Sequence, residues 1–182
     1  MKTDIFLRAF ELNDAKFIND LRNIEEFENK IGGTKRFVSV AREKKWVEDL
    51  IYNDYSDKFY LAICEKETKE IIGYISVSDI DHVNKSCFWS GVKIHPDHNG
   101  KGYAKQAALM VIRYVFEELN MERCTGQSLE EHTAVIKMME NLGFKIEALQ
   151  RHSLYKNGKY HNQYIYSMLS EEYKTIKVKF QL

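Results

Sequence analysis

Residues 95–119 read HPDHNGKGYAKQAALMVIRYVFEEL. An apolar run, KSCFWSGVKI at residues 85–94, leads into this stretch, and an Ala-rich run with acidic residues near its far end follows. Between them stand Gly100 and Gly102, so the pattern is strand, glycine turn, helix. The first N–H groups of a helix have no internal acceptor, and the helix dipole places partial positive charge there. Glycines keep side chains out of the way, so a phosphate can approach the backbone closely. The pattern is not a P-loop, because no Gly-Lys-Ser/Thr follows at the required spacing. Nor is it GxGxxG, since Lys105 stands where the third glycine belongs. Taken alone, the two glycines fit a plain tight turn equally well.

The flanking sequence fixes the class of fold. TDIFLRAF (residues 3–10) reads as a first strand, and LNDAKFINDLRNI (12–24) as a helix capped by Asn13 or Asp14. Gly32-Gly33 breaks the pattern before a second helix, VAREKKWVEDLIYND (40–54). KFYLAICEK (58–66), EIIGYISVSDI (70–80) and residues 85–94 read as three consecutive strands. After the long helix come a short strand, ERCTGQS (122–128), and a helix, EEHTAVIKMMENL (130–142), stopped by Gly143. Two last strands, at 144–155 and 160–169, flank Asn157-Gly158, a hairpin signal because both residues tolerate positive φ. The tail, residues 171–182, reads as a further strand; near 174–180 it would leave an edge for a second subunit, making a homodimer. Consecutive strands pair antiparallel, and the strand–helix–strand unit is parallel. The expected fold is therefore a mixed, mostly antiparallel α/β sheet with flanking helices, in one domain spanning residues 1–182.

Composition narrows the function. Lys plus Arg and Asp plus Glu each total 27, giving no net charge, which argues against a general nucleic-acid binder. Cys64, Cys87 and Cys124 are odd in number, widely spaced and set in apolar contexts; they read as buried reduced thiols, not a disulfide framework or zinc site. No apolar run reaches the ~18 residues of a membrane helix. MKTDIFLRAF carries charges where a signal peptide would be apolar, so the expected location is the cytoplasm, with no membrane partner. His95 and His98 form an HxxH pair, but Pro96-Asp97 between them favours a turn, and no metal is expected.

Asn99-Gly100-Lys101-Gly102-Tyr103-Ala104, following HPD and opening an Ala-rich helix, resembles the phosphate turn of the GNAT acetyltransferase superfamily. Gly102 and Ala104 match its small positions, whereas Asn99 replaces the usual Gln or Arg. The box Glu140-Asn141-Leu142-Gly143-Phe144, the Asn-Gly hairpin and the aromatic last strand resemble the RimJ/RimL-like branch. The resemblance covers about residues 3–170. It implies a sheet splayed into a V at an acetyl-CoA site. The pantetheine arm would lie along Val92 and Ile94, and the N–H groups of residues 99–104 would hold the pyrophosphate.

That resemblance implies an acetyl-CoA-dependent N-acetyltransferase in which a primary amine attacks directly. The acceptor stays open between a peptide N-terminus, a polyamine and an amino-sugar; Glu25, Glu26, Glu28 and Asp49 suit a polyamine, and a solvated face explains them too. The tyrosine that many members use as acid is Met139 here, and the Asn and Ser of the RimJ/RimL-like branch are His132 and Val135. Only His132 of these can relay a proton, and it would also touch the cofactor. For the base, the resemblance points to a carboxylate on the third strand or in the loops before it; the strand core holds none, and Asp79 and Asp81 at the end of the preceding strand are the nearby acids, which a solvated turn explains too. Tyr155, Tyr160, Tyr164 and Tyr166 alternate between packing and a slot for the acceptor. The competing reading is a non-catalytic acyl-CoA-binding module, favoured by the missing acids.

Overall fold

A computed structural model describes residues 3–182; Met1 and Lys2 of the opening run lie outside the described residues. The chain order is β1 (Ile5–Arg8), α1 (Asp14–Arg22), α2 (Glu25–Lys30), α3 (Val40–Tyr52), β2 (Phe59–Glu65), β3 (Ile71–Asp81) and β4 (Ser86–Ile94). A 3₁₀ turn (Pro96–His98) leads to α4 (Tyr103–Glu117), β5 (Arg123–Leu129), α5 (Thr133–Asn141), β6 (Lys145–Lys156), β7 (Lys159–Leu169) and α6 (Ser170–Phe180). The strands form one seven-stranded sheet in the order β1-β2-β3-β4-β5-β7-β6. Among the described residues only β4 and β5, joined by the α4 crossover, run parallel. The mixed, mostly antiparallel sheet is the one expected.

Each face of the sheet buries its own core. On one face α4 lays Ala107, Val111 and Ile112 against Ile63, Ile75 and Trp89. On the other, Ile18 and Leu21 of α1 and Val47 of α3 meet Phe10, Ala62 and Tyr74. The apolar spacing of both long helices supplies those faces. Asp14 does not cap α1 with its side chain; it accepts from Arg8 at 2.6 Å and from the Glu11 N–H at 2.8 Å.

The sheet comes apart at one place. β4 and β5 pair only from Ser86/Arg123 to Trp89/Gly126, yet β4 continues to Ile94 and β5 to Leu129. A bulge in β4 opposite Ser76/Val77 coincides with the end of pairing, and Gly91 there takes φ +97°. An extra residue in one strand bends it and increases its twist, so β4 veers from β5. The V-shaped splay thus has a local cause.

Three expectations need correction. α2 was not foreseen; it is a short helix whose Glu28 carbonyl and the following Ile31 carbonyl accept from Lys156 Nζ at 2.5 and 2.8 Å. α5 starts at Thr133, because Glu130 and Glu131 are tied to β7: Asn162 Nδ2 donates to Glu130 at 2.8 Å, and His161 Nδ1 lies 2.9 Å from Glu131. The tail is helix α6, not a strand, so residues 174–180 offer no edge to a second subunit. Tyr173 and Ile176 are buried one turn apart, and Glu172 takes the Leu169 N–H at 2.9 Å, fixing the helix start.

Glu117 of α4 anchors α6. It accepts from Tyr173 Oη at 2.6 Å and pairs with Lys177 at 2.8 Å and Arg113 at 3.2 Å. Lys177, Tyr173 and Arg113 hold its pKa down to about 2. A carboxylate with a lowered folded-state pKa stabilises fully above the usual range near ~4.3, and loses that contribution as pH falls towards the folded value. Acid unfolding should therefore be shallower in Glu117→Gln than in the wild type between about pH 4 and 2. Parallel pH dependences would show that the tether does not link α6 to stability.

Candidate active site

The splay opens a cleft with two lobes, of about 660 and 380 Å³. They meet at Ile31, Val92, Leu129, His132, Val135 and Met138. The larger lobe runs to Asn99, Gly100 and Ala104 at the start of α4. The smaller runs beside Ser90, Lys93, Ser128 and Gln163, beneath Gly32 and Gly33.

The glycine turn has a geometry that could cradle an anion. Gly100 and Gly102 have φ +79° and +77°, and no atom lies within 4 Å of where either would carry a Cβ. Among the described residues, no hydrogen bond engages the backbone N–H groups of residues 100–105, and the first of the helix to bond back is Gln106, to the Gly102 carbonyl at 3.1 Å. The Asn99 N–H is already used by the Pro96 carbonyl at 3.0 Å, which removes it from the expected set; Asn99 instead lines the larger lobe. Lys101 and Tyr103 turn their side chains to Glu65, at 3.8 and 2.6 Å, so only their N–H groups face the cradle. Tyr103 pushes Glu65 below the usual carboxylate range, and its own pKa is pushed up to about 12.

The freed edge of β4 is the second element. The His95 N–H donates to the Ile72 carbonyl on β3 at 2.8 Å. Successive N–H groups of a strand alternate between its two edges, so those of Val92 and Ile94 point to the open side. An extended amide chain can pair there as a β-strand would. Cradle, edge and apolar lining together fit acetyl-CoA.

His132 lines both lobes as the cap residue ahead of α5. Its N–H donates to Leu129 at 3.0 Å, and its carbonyl takes the Val135 and Ile136 N–H groups. Val135 also lines both lobes, and Met139 is buried against Gly126, so neither supplies an acid. Asp81 is a turn residue: it accepts from Val83 N, Asn84 N and Asn84 Nδ2, which lower its pKa. Asp79 is different. Ser78 Oγ donates to it at 3.0 Å and lies 2.9 Å from Ser90 Oγ, which opens on the smaller lobe. A hydrogen-bonded path therefore joins the cleft to an exposed carboxylate.

Other expectations fall elsewhere. None of Tyr155, Tyr160, Tyr164 and Tyr166 lines the cleft. The first two meet edge to face at the hairpin tip with ring centres 5.0 Å apart, Tyr164 packs on the core, and Tyr166 is buried with its Oη 3.1 Å from Ser128 Oγ. Glu28 is buried beside Lys156, Asp49 pairs with Lys45, and Glu25 is exposed; of the four acids only Glu26 reaches the larger lobe. His95 Nδ1 takes the Asp97 N–H at 3.3 Å and so caps the 3₁₀ turn. The three cysteines are free and buried, and none lines the cleft. Sequence reading passed over Ser90 and Lys93 of β4 and Gln163 of β7, which meet only around the smaller lobe.

Comparison with known proteins identifies the class. Residues 4–145 match the acetyltransferase (GNAT) domain family, and the chain belongs to it. It is an N-acetyltransferase, and acetyl-CoA is its co-substrate. A relative from Bacillus licheniformis, the uncharacterized N-acetyltransferase p20, is 31% identical over 169 residues, covering 92% of this chain and 93% of that one. The spermidine N(1)-acetyltransferase of Escherichia coli K12 is 26% identical over 161 residues, covering 86% and 81%. In fold the chain is similar to spermidine N-acetyltransferase from Vibrio cholerae, crystallised with CoA and spermine: TM-score 0.86 at 21% identity, over 95% of this chain and 99% of that one.

Proposed function

We propose that the protein moves the acetyl group of acetyl-CoA to the primary amine of a small molecule, by direct attack in a ternary complex within the β4–β5 splay. One observation carries this reading: pairing stops at Trp89/Gly126 while both strands continue, leaving two lobes that meet at Val92 and His132. The larger lobe, with the cradle at residues 100–104, takes the acyl donor. The smaller takes the acceptor. We place the chain near the RimJ/RimL-like branch on its Glu140–Phe144 box and its Asn157-Gly158 hairpin.

Bound acetyl-CoA supplies a thioester open to attack by a neutral amine. The Val92 N–H, on the free edge of β4, donates to the negative charge that grows on the carbonyl oxygen. A primary amine has a pKa of ~10.4 in water, so the site must take its proton. Ser90, Ser78 and Asp79 form the path by which it leaves: each hydroxyl accepts one proton as it passes another on. His132 sits where the lobes join and can protonate the departing thiolate, while a thiol of pKa ~8.5 also leaves with modest help. Holding amine and thioester together supplies ~7–11 kcal/mol of the barrier reduction.

The test is thiol release from acetyl-CoA on addition of primary amines. Ser90→Ala should lower kcat by about 10²-fold, in the range of general acid–base contributions, with the KM for acetyl-CoA unchanged. An unaltered kcat would remove the serine path from the mechanism.

A further inference from the structure

The smaller lobe is lined by a cation and by no carboxylate. Lys93 is half-buried on β4; its Nζ donates to the Ser90 carbonyl at 3.1 Å and lies 4.9 Å from the centre of the Tyr74 ring. Among the described residues no carboxylate comes within ion-pair distance of it. The acids on the same face are engaged: Glu43 pairs with Arg22 at 3.1 Å, and Glu28 lies 3.7 Å from Lys156. Burial, helped by the charge of Arg22, draws the Lys93 pKa down to about 8. An ammonium drawn part-way out of water and held by one carbonyl and one ring face lacks the counter-charge that such groups normally have.

Trp89 and Gln163 also line the lobe. Trp89 is 5% exposed, and its Nε1 is buried with no acceptor among the described residues. Gln163 takes Ser153 Oγ on its Oε1 at 3.0 Å, and its Nε2 lies 3.9 Å from where Gly32 would carry a Cβ. A lysine with no acid beside it makes a poor seat for a polycation. It makes a good one for an anion.

We propose that the acceptor is an amine bearing a carboxylate or phosphate, and that Lys93 binds that anionic group. This rests on the acetyltransferase reading above and names its substrate class. Electrostatics then does two things. The anion supplies the counter-charge that Lys93 lacks, and the Lys93 charge disfavours the ammonium form of the attacking amine close by.

The test uses matched pairs that differ only in the anionic group: glucosamine 6-phosphate with glucosamine, phosphoethanolamine with ethanolamine, and glycine with glycinamide, with spermidine alongside. Thiol release gives kcat/KM for each, and the phosphate and carboxylate arms tell the two anions apart. The wild type should favour the anionic member at least tenfold in one arm. Lys93→Met should lower kcat/KM for that member at least tenfold more than for its neutral partner; Lys93→Gln serves if the Met variant does not fold. Equal use of both members, preference for spermidine, or an equal loss across a pair would overturn the proposal, the last assigning Lys93 to proton transfer or packing. If no amine is turned over, the transfer reading fails separately. Lys93 is then judged by calorimetric titration of inorganic phosphate and acetate into the CoA-loaded protein: saturable binding lost in Lys93→Met supports the anion site, and no binding in the wild type overturns it.

Discussion

Gly102→Glu should abolish acetyl-CoA binding, with at least a 100-fold loss of affinity in a calorimetric titration beside the wild type. Gly102 caps α4 at φ +77° with nothing within 4 Å of the place a Cβ would occupy. A glutamate there fills the space in front of the free N–H groups and sets a negative charge against a diphosphate. The left-handed backbone adds about 1–2 kcal/mol of strain for any non-glycine residue. Gly102→Ala separates the two effects. It carries the strain without the charge or the bulk, so its affinity should stay within about tenfold of the wild type's, since 1.4 kcal/mol corresponds to one factor of ten. Equal loss in both variants would mean that backbone shape, and not access by an anion, governs the site.

The largest expected effect on stability lies at Lys156. Its side chain is 3% exposed and that of Glu28 is 6% exposed, and the two lie 3.7 Å apart. Glu28 Oε2 has no hydrogen-bond partner among the described residues, and Lys156 is the cation paired with the carboxylate there. Removing one member of a buried pair costs about 3–5 kcal/mol, because the other charge stays buried and uncompensated. Lys156→Met should therefore lower the melting temperature by roughly 10 °C for a domain of this size. Glu28→Gln added to Lys156→Met should recover part of the loss. A loss below about 1 kcal/mol would place the pair among solvated surface contacts. The same lysine ties down the carbonyls of Glu28 and Ile31, next to the cleft wall at Phe27, Asn29 and Ile31. The variant should thus raise the KM values as well as lower stability.

Much of the fold is legible in local sequence. Alternation, the Asn157-Gly158 turn and the helix between two strands at residues 85–128 give the mixed sheet without tertiary information. The glycine turn is legible because positive φ and free N–H groups follow from residue type and place. What could not be read depends on contacts across the chain. Residues 171–182 alternate enough to suggest a strand, and only the Glu117 tether and the buried Tyr173 and Ile176 make them a helix. Helix α2 exists because a lysine far along the chain binds its carbonyl end. The site divides in the same way. Gly100, Gly102, Val92, Ile94 and His132 are candidates from motif position, and Asp79 from its place at the end of a strand, whereas Ser90 and Lys93 come to the smaller lobe through a bulge whose register no local pattern announces. The tyrosines misled because aromatic content near a hairpin says little about which face a strand turns to the cleft.

Direct transfer within one cleft is the central claim. The cysteines are buried away from it, and both lobes open on the same stretch of β4, so nothing calls for an acetylated enzyme. Initial rates should be measured with acetyl-CoA and the best amine of the matched pairs varied together. Double-reciprocal lines that intersect are the expected result, because both substrates must be present before the acetyl group moves. Parallel lines, with CoA released before the amine binds, would mean a covalent acetyl-enzyme and would contradict the account.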